Sequence, residues 1–597
     1  MFSWLPWLRL APRPERGQHS LSCVRRSSSE ENMQFDVNGV SYLAVGSYLW
    51  LSNHLSRLDD GHVYRSEFLV GLILINTKST RQDITPEAQN YLRNLGNKWQ
   101  SVGEIVTPTE VLISGPYLYM DKVLRKVYRL QSDIQRAFMA ATRPDLSETS
   151  FRTVNAGGDP YQCLSIAVPH RVTSPDLPFS APRVAVKDCY FLKGLKNSLC
   201  NSAYYDAMPP APFTATVVDS LIKDGALVLG LTKLSTLIGR EEPTESVDFQ
   251  TSFNPRGDGY QSPAGSSSGS AVAVAAYDWI DCAIGTDTSG SGRRPALVNG
   301  VWQFRPSHNP RYLDGLVKTY DRFDTPCAFA RNLSILKHVA QSWLNTRVPN
   351  QFRTRQYSII YPLDYLPVDN QQQMTLIDEF VSDMEKALSA ETLRVSIRDI
   401  WKIRHPPEAC ESLDEYLEDV VTGTFYHAYY HAFGEFRQRY GEQHDQQPPY
   451  VIPFVRRRWA KGAAVSESQH LDATSRMEVY RQWLLDNIFY ANGKETLIIL
   501  PIANVAPNYR DEASPSPDNQ SAFDQLFLSP ILGAPDISIP IGEVSYHSKI
   551  TEREEFLPVL VNVVGAPGTD LSLLEAVEKV MKFSKRPLSV RTGKRMF

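Results

Sequence analysis

Cysteine is scarce in this chain, which has 7 among 597 residues. These cysteines are scattered and odd in number and form no CxxC pair, a usage typical of reduced thiols inside a cell rather than of a disulfide framework. Uninterrupted apolar runs of the ~18 residues that span a bilayer are missing, so stable membrane insertion is not expected. An excess of positive charge is missing too, since the formal net charge is -4, and no nucleic-acid partner is expected. These absences favour a cytoplasmic protein.

The chain is long and rich in apolar residues. With 597 residues and 42% hydrophobic content, the chain can bury an extensive core. Residues 1–33 combine arginines and serines with few acidic residues, which predicts a disordered tail or, as the alternative, a mitochondrial targeting segment. We expect residues 34–150 to form a separate N-terminal α+β module. We expect residues 151–597 to form the main domain.

The N-terminal module carries two local patterns. An apolar run at residues 72–75 predicts a buried strand. The spacing of apolar residues at 121–139 predicts a helix with one apolar side. The residues on that side are Val123, Val127, Leu130 and Ile134. No functional motif accompanies these elements, and a role of the module in substrate access or in a homo-oligomer is left open.

Three separated motifs in the main domain indicate chemistry. In chain order they are RVAVKD (183–188), SPAGSSSGSA (262–271) and GTDTSGSGRRPA (285–296). A serine hydroxyl becomes a good nucleophile only when a neighbouring base takes its proton, and a lysine can be that base when burial lowers its pKa. The order lysine, serine, serine therefore indicates nucleophilic catalysis without histidine.

These motifs and their order resemble the amidase signature family of hydrolases, whose pattern reads VKD, then PGGSSGGS, then GTDTGGSxRxPA. Further segments resemble the family as well, among them FDTPCAFAR (323–331) and GAPDISIPIG (533–542), so that the likeness covers roughly residues 155–585. The resemblance implies an α/β fold, with one large mixed sheet flanked by helices on both faces. It also implies that residues 151–597 are the catalytic domain.

The resemblance also implies a catalytic triad. Ser291 is the expected nucleophile, Lys187 the base, and Ser266 the bridging serine that relays the proton after a cis peptide bond from Gly265. Ser267 is the alternative bridging serine and otherwise a supporting hydroxyl.

An oxyanion hole and a brace for its loop follow from the same resemblance. The backbone N–H groups of Thr288, Ser289, Gly290 and Ser291 are the expected oxyanion hole. Asp287 and Arg293 are expected to brace this loop rather than to react.

Two positions depart from the family pattern. Ser289 replaces the first glycine of the nucleophile turn, which would cost energy if that position required a positive φ. Ser268 replaces a glycine in the serine-rich turn. Ser289 still has an N–H group, so the change at that position removes no donor of the expected oxyanion hole.

Two other motifs suggest alternatives. Residues 265–269 spell GxSxG, the nucleophile elbow of α/β-hydrolases with Ser267 at its centre, but the preceding residues 254–264 are rich in turn formers where an elbow needs a strand. His427, His431 and Glu435 lie four residues apart, a spacing that could hold a metal on one helical face. Interleaved aromatic residues there favour a packing helix instead, and neither a metal nor a cofactor is expected.

The expected function is hydrolysis of the C–N bond of a linear carboxamide through an acyl-enzyme, with a small-molecule amide as substrate. Alternatives are acyl transfer to an amine or alcohol in a biosynthetic pathway, a glutaminase-type subunit of an amidotransferase, and a non-catalytic scaffold with an amidase-like fold.

Overall fold

The computed structural model describes residues 19–20, 24–26, 41–46, 70–76, 90, 92–94, 96–105, 115–120, 123–145, 149–155, 158–159, 161–170, 182–344, 355–491, 493–513 and 520–597. The strands of these residues are β1 (His19–Ser20), β2 (Val24–Arg26), β3 (Ser41–Gly46), β4 (Gly71–Asn76), β5 (Trp99–Ile105), β6 (Gly115–Met120), β7 (Val123–Lys126), β8 (Tyr128–Ser132), β9 (Phe138–Pro144), β10 (Phe151–Thr153), β11 (Ser165–Pro169), β12 (Arg183–Lys187), β13 (Leu227–Thr232), β14 (Cys282–Thr286), β15 (Trp302–Arg305), β16 (Pro326–Ala330), β17 (Tyr357–Pro362), β18 (Thr392–Val395), β19 (Glu495–Leu500), β20 (Asp536–His547) and β21 (Glu554–Val564).

From residue 182 onward, the α-helices are α1 (Ser202–Ala207), α2 (Thr216–Lys223), α3 (Ser268–Ala276), α4 (Arg293–Asn299), α5 (Leu333–Leu344), α6 (Gln371–Leu388), α7 (Ile397–Arg404), α8 (Leu413–Tyr416), α9 (His427–Ala432), α10 (Gly434–Gln443), α11 (Pro453–Ala463), α12 (Glu467–Leu484), α13 (Gln525–Leu532) and α14 (Asp570–Phe583). Short 3-10 turns lie at Thr236–Ile238, Pro243–Glu245, Pro310–Leu313 and Leu363–Tyr365, and π-helical turns at Thr422–Tyr426 and Leu485–Phe489. None of the helices in the described ranges combines the length and the apolar character needed to cross a bilayer.

Twelve strands form one mixed sheet in the order β10-β9-β13-β12-β14-β16-β15-β20-β21-β19-β17-β18. β12 pairs in parallel with β13 and β14, and β17 pairs in parallel with β18 and β19. The remaining neighbours are antiparallel. A large mixed sheet flanked by helices is the predicted fold class, which the structure confirms.

Two central elements bring the three motifs together. Parallel strands β12 and β14 end at the same edge of the sheet, so that the segments after Lys187 and Thr286 meet there. Helix α3 is buried from its first residue through Ala275, because its alanine, glycine, serine and valine side chains are small enough for the helix to lie within the core. The start of α3 therefore lies against the ends of both strands.

Seven strands form a second sheet, in the order β1-β7-β6-β3-β4-β5-β2. β4 confirms the strand predicted at residues 72–75. β1 and β2 lie within residues 1–33, where the sequence predicts a tail or targeting segment, and they pair with β7 and β5.

The helix predicted at residues 121–139 is wrong, because the described part of this segment, residues 123–139, contains β7, β8 and the start of β9. β8 pairs with β11 and β9 with β13, and such long-range pairing overrides a local helical spacing. Ile134, expected on the apolar side of the helix, is 73% exposed. Because β9 belongs to the 12-stranded sheet, that sheet begins before the predicted domain boundary at residue 150.

Candidate active site

Lys187 is the last residue of β12 and is fully buried. The strand is apolar from Val184 to Val186 and buried along its length, which carries the lysine into the interior. Burial outweighs the nearby negative charges of Asp287 and Asp324 and lowers the pKa of the Lys187 ammonium. The burial that the apolar surroundings predict for this lysine is confirmed.

Three hydroxyl groups surround the Lys187 amine. Lys187 Nζ lies 2.8 Å from Ser266 Oγ, 2.9 Å from Ser267 Oγ and 2.6 Å from Thr286 Oγ1. A charged ammonium donates to all three oxygens, whereas a neutral amine has a lone pair that must accept from one of them. The cluster can therefore accommodate both protonation states with the loss or reversal of a single hydrogen bond.

The two neighbouring serines differ in where their hydroxyl hydrogens go. Ser267 Oγ donates to the Thr286 carbonyl at 3.1 Å and accepts from the Thr286 N–H at 3.2 Å. Its hydrogen is thereby committed to the end of β14. Ser266 is nearly fully buried and follows a cis peptide bond from Gly265, as the resemblance implies. Its contact with Lys187 Nζ leaves its hydroxyl hydrogen free of such a commitment.

Ser291 lies on the loop between β14 and α4 and is half-buried. The Ser267 N–H donates to the Ser291 carbonyl at 3.1 Å, which joins this loop to the serine-rich turn. A small cavity lies beside the loop, and Gly265, Thr288, Ser289 and Ser291 border it. Ser289 and Ser291 of the third motif both border the cavity, and Ser291 also contacts the second motif through its backbone carbonyl.

The loop takes its positive φ at Gly290, where φ is 95°, and not at Ser289. A Cβ atom at Gly290 would lie 2.5 Å from Leu526 Cδ2, so this position requires glycine. The steric cost considered for Ser289 does not arise, because the left-handed residue is the next one along the chain.

The four N–H groups of the expected oxyanion hole differ in whether they already donate a hydrogen bond within the protein. The Gly290 N–H donates to Asp287 Oδ1 at 3.0 Å and is already engaged within the loop. The N–H groups of Thr288, Ser289 and Ser291 donate to no residue of the described ranges. Those three residues also border the cavity, which leaves three unengaged donors there.

Asp287 and Arg293 hold this loop in place. The Asp287 carboxylate accepts from three backbone N–H groups of the loop, each at 3.0 Å, and from Arg293 Nη2 at 2.9 Å. Arg293 also contacts Asp536 at 3.3 Å. Burial by itself would raise the pKa of the Asp287 carboxyl, but the charges of Arg293 and Arg305 outweigh burial and lower that pKa to about 2. These contacts are the ones expected of residues that hold the loop in one conformation.

Thr286 and Asp324 lie within the sequence motifs and make contacts in the site that the sequence analysis does not predict. Thr286 Oγ1 contacts the lysine amine, and Asp324 Oδ1 accepts from Thr288 Oγ1 at 2.6 Å. Asp324 is buried, which raises the pKa of its carboxyl. Their place inside the motifs was the available signal, but threonine and aspartate in turns usually serve the local backbone.

Neither alternative motif forms the site that it suggested. In residues 254–264 the structure has one isolated β-bridge and no strand, so the elbow geometry around Ser267 is absent there. The His427 and His431 rings lie 4.4 Å apart, but Glu435 pairs with Arg439. Within the described ranges, no group of three or more histidine, cysteine, aspartate or glutamate side chains could hold a metal ion.

Comparison with known proteins agrees with the fold and the motifs. The Amidase family model matches residues 167–574, more than half of the chain. The chain is 27% identical over 418 residues to Amidase 1 of Arabidopsis thaliana, which covers 67% of this chain and 92% of that protein. It is 26% identical over 467 residues to mandelamide hydrolase of Pseudomonas putida, which covers 74% of this chain and 82% of that protein. A crystal structure of an amidase shares its fold, with a TM-score of 0.53 and 24% identity over 67% of this chain and 84% of that one. The protein is therefore a member of the amidase family and an amide hydrolase.

Proposed function

We propose that the protein cleaves the C–N bond of a linear carboxamide with Ser291 as nucleophile, Ser266 as proton relay and Lys187 as base. The observation that carries this proposal is the buried Lys187 amine, which has Ser266 Oγ 2.8 Å away. A buried lysine with a lowered pKa has a larger neutral fraction, and only the neutral amine can accept a proton.

The reaction has two halves. Ser291 Oγ attacks the carbonyl carbon, its proton passes to Ser266 Oγ, and the Ser266 proton passes to Lys187 Nζ. The protons return by the same route to the leaving nitrogen, the C–N bond breaks, and ammonia or an amine departs from an acyl-enzyme. Water then attacks the ester carbon, and the carboxylic acid leaves with Ser291 Oγ protonated again.

Ser266 is favoured over Ser267 as the relay by the hydrogen-bond pattern. The Ser267 hydroxyl hydrogen is directed to the Thr286 carbonyl, so Ser267 supports the lysine as an acceptor. The Ser266 hydroxyl has the lysine amine as its partner and can pass its hydrogen there.

The unengaged N–H groups of Thr288, Ser289 and Ser291 support an oxyanion hole of three donors. Each would stabilise the negative oxygen of the tetrahedral intermediate, and loss of one such donor typically costs about 100- to 1,000-fold in rate. The Gly290 N–H is assigned to the brace at Asp287 instead.

Turnover of a panel of primary carboxamides that includes mandelamide tests this proposal. Wild-type protein and the variant Ser270→Ala are expected to release ammonia, because the partners of Ser270 Oγ are the Ile284 carbonyl and Thr232 Oγ1, both outside the lysine cluster. Ser291→Ala is expected to lose turnover, and added hydroxylamine is expected to divert the wild-type product to a hydroxamate. Undiminished turnover by Ser291→Ala would contradict the proposal.

A further inference from the structure

Three arginine side chains border the cavity beside Ser291. They are Arg240, Arg294 and Arg458. Arg240 follows the 3-10 turn at Thr236–Ile238, while the other two lie on α4 and α11, so the three guanidinium groups converge from separate parts of the chain. The rest of the wall is largely apolar or uncharged, with Ile238, Phe425, Leu526 and Gln520.

Arg458 has no carboxylate partner among the described residues. The residue is 6% exposed, and its guanidinium lies 4.6 Å from the ring centres of Tyr426 and Phe454. Its one hydrogen bond to a described residue runs from Nη2 to Gln520 Oε1, at 3.1 Å. A guanidinium has five N–H donors, and aromatic rings contact its faces without satisfying the donors at its edge. Arg458 therefore brings unpaired in-plane donors to the cavity.

Arg240 and Arg294 share one carboxylate. Glu242 Oε1 lies 3.7 Å from Arg240 Nε and 3.5 Å from Arg294 Nη2, both longer than the ~2.7–2.9 Å of a charge-assisted hydrogen bond. Arg240 Nε is buried without a hydrogen bond in the described part of the chain. Burial and the Arg240 charge lower the pKa of Arg294 to about 10. Asp524 is a further nearby carboxylate, but it caps α13 through the Leu526 N–H.

The charges around the cavity therefore do not balance. Glu242 and Asp524 face three guanidinium groups, and an unpaired charge that is largely buried is unfavourable unless a ligand supplies its partner. Arg294 also lies at a position marked x in the pattern GTDTGGSxRxPA, where the family pattern specifies no residue. It directly follows Arg293, the arginine that holds the loop in place. The contacts of Asp287 and Arg293 that hold the loop in place therefore give no reason for an arginine at position 294.

We propose that this cavity binds a carboxylate group of the substrate, so that the preferred substrates are linear amides that also carry a carboxylate. Arg458 offers parallel N–H donors that match the two oxygens of a carboxylate, and Arg240 and Arg294 add positive potential. This inference rests on the proposed function, because it assigns the charge of the substrate that Ser291 attacks.

Protection of Ser291 against a neutral fluorophosphonate tests the inference without knowledge of the substrate. Malonate, succinate, glutarate and adipate are compared with diols of the same chain length. At least one dicarboxylate is expected to slow labelling of the wild-type protein, and the diols are not. Labelling that no dicarboxylate slows would overturn the inference and leave the nucleophile assignment intact. Absence of any adduct at Ser291 would instead contradict the proposed function.

Substitutions on α11 show whether Arg458 is responsible. Arg458→Met keeps most of the apolar stem and removes the charge, and it is expected to weaken protection by about 10- to 100-fold. Arg456→Met and Arg457→Met are matched controls, because both side chains are exposed on the same helix. Should Arg458→Met not fold, Arg294→Met is used, and it is expected to weaken protection in the same direction. Unchanged protection in a folded variant of either arginine would overturn the role of that arginine.

The rates of amide hydrolysis test the preference for a carboxylate directly. Succinamate is compared with 4-oxopentanamide, in which a methyl ketone replaces the carboxylate, and the longer homologues are compared in the same way. For the best chain length, kcat/KM is expected to be about 10- to 100-fold higher for the carboxylate, and Arg458→Met is expected to remove most of that difference. Equal kcat/KM for the charged and neutral members of every pair would contradict the inference.

Discussion

Lys187 Nζ and Ser266 Oγ lie 2.8 Å apart although 79 residues separate them in the chain. The contact forms because β12 ends at the lysine and α3 begins just after the serine, at the same edge of the sheet. A third segment, the loop after β14, reaches the same place through the hydrogen bond from Ser267 N–H to Ser291 O. The predicted chemistry depends on this meeting of three segments.

Removal of the lysine amine should stop acylation. Lys187→Met preserves much of the side-chain volume, and the rate of Ser291 labelling is expected to fall by about 100- to 10,000-fold, the usual contribution of a general base. Lys233→Met is the control, because burial also lowers the pKa of Lys233 but its Nζ donates to the Gln250 carbonyl, outside the cluster. Near-normal acylation in Lys187→Met would mean that another group is the base.

The rate of acylation should rise with pH. At low pH Lys187 is an ammonium and cannot accept a proton, and above its pKa it is a neutral amine. Because burial lowers that pKa, the rise is expected to have an apparent pKa below the ~10.4 of an exposed lysine. Fluorophosphonate labelling rates between pH 5 and pH 10 measure it, and a rate that falls with increasing pH would contradict the assignment.

Loss of the Asp287 charge should destabilise the protein. Asp287→Asn leaves the buried Arg293 with Asp536 as its remaining carboxylate partner, and breaking a buried pair costs about 3–5 kcal/mol. The unfolding midpoint in urea at pH 7 should fall, while Asp321→Asn, an exposed aspartate, should change it little. Equal midpoints for the two variants would argue against the brace.

The same pair has a defined pH dependence. The folded-state pKa of Asp287 is about 2, below the ~3.9 of an unfolded aspartate. Its contribution to stability is therefore fully present above about pH 4 and is lost as the pH falls through about 2. Acid unfolding of the wild-type protein should lose this contribution, and Asp287→Asn should show a shallower dependence in that range.

Glycine at position 290 should be essential for the shape of the loop. Gly290→Ala places a Cβ at positive φ and against Leu526, so both turnover and labelling of Ser291 are expected to drop at least tenfold. Gly259→Ala is the matched control, since Gly259 also has a positive φ but open space around it. Full activity of Gly290→Ala would mean that the loop can adopt another geometry.

The central part of the site could be predicted from sequence because its residues lie in short motifs with a fixed order. The motifs predict Lys187, Ser266 and Ser267 as site residues, and the structure places both serine hydroxyls within hydrogen-bonding distance of the lysine amine. The choice between the two serines needed the hydroxyl directions, which depend on the Thr286 carbonyl at the end of β14. No local pattern encodes that contact.

Other features depend on long-range contacts that the sequence does not display. Residues 121–139 have a helical spacing of apolar side chains, yet pairing of β8 with β11 and of β9 with β13 makes residues 128–132 and 138–139 parts of strands. Arg458 stands in a run of three arginines that resembles a solvated basic face of a helix. Its aromatic surroundings and its place at the cavity arise only when α11 packs against the π-helical turn at Thr422–Tyr426.

The most direct test of the nucleophile is the intact mass of the purified protein after reaction with a neutral fluorophosphonate, followed by identification of the labelled peptide. One adduct is expected on Ser291, retained in Ser270→Ala and lost in Ser291→Ala. An adduct on a different residue, or no adduct on folded wild-type protein, would contradict it.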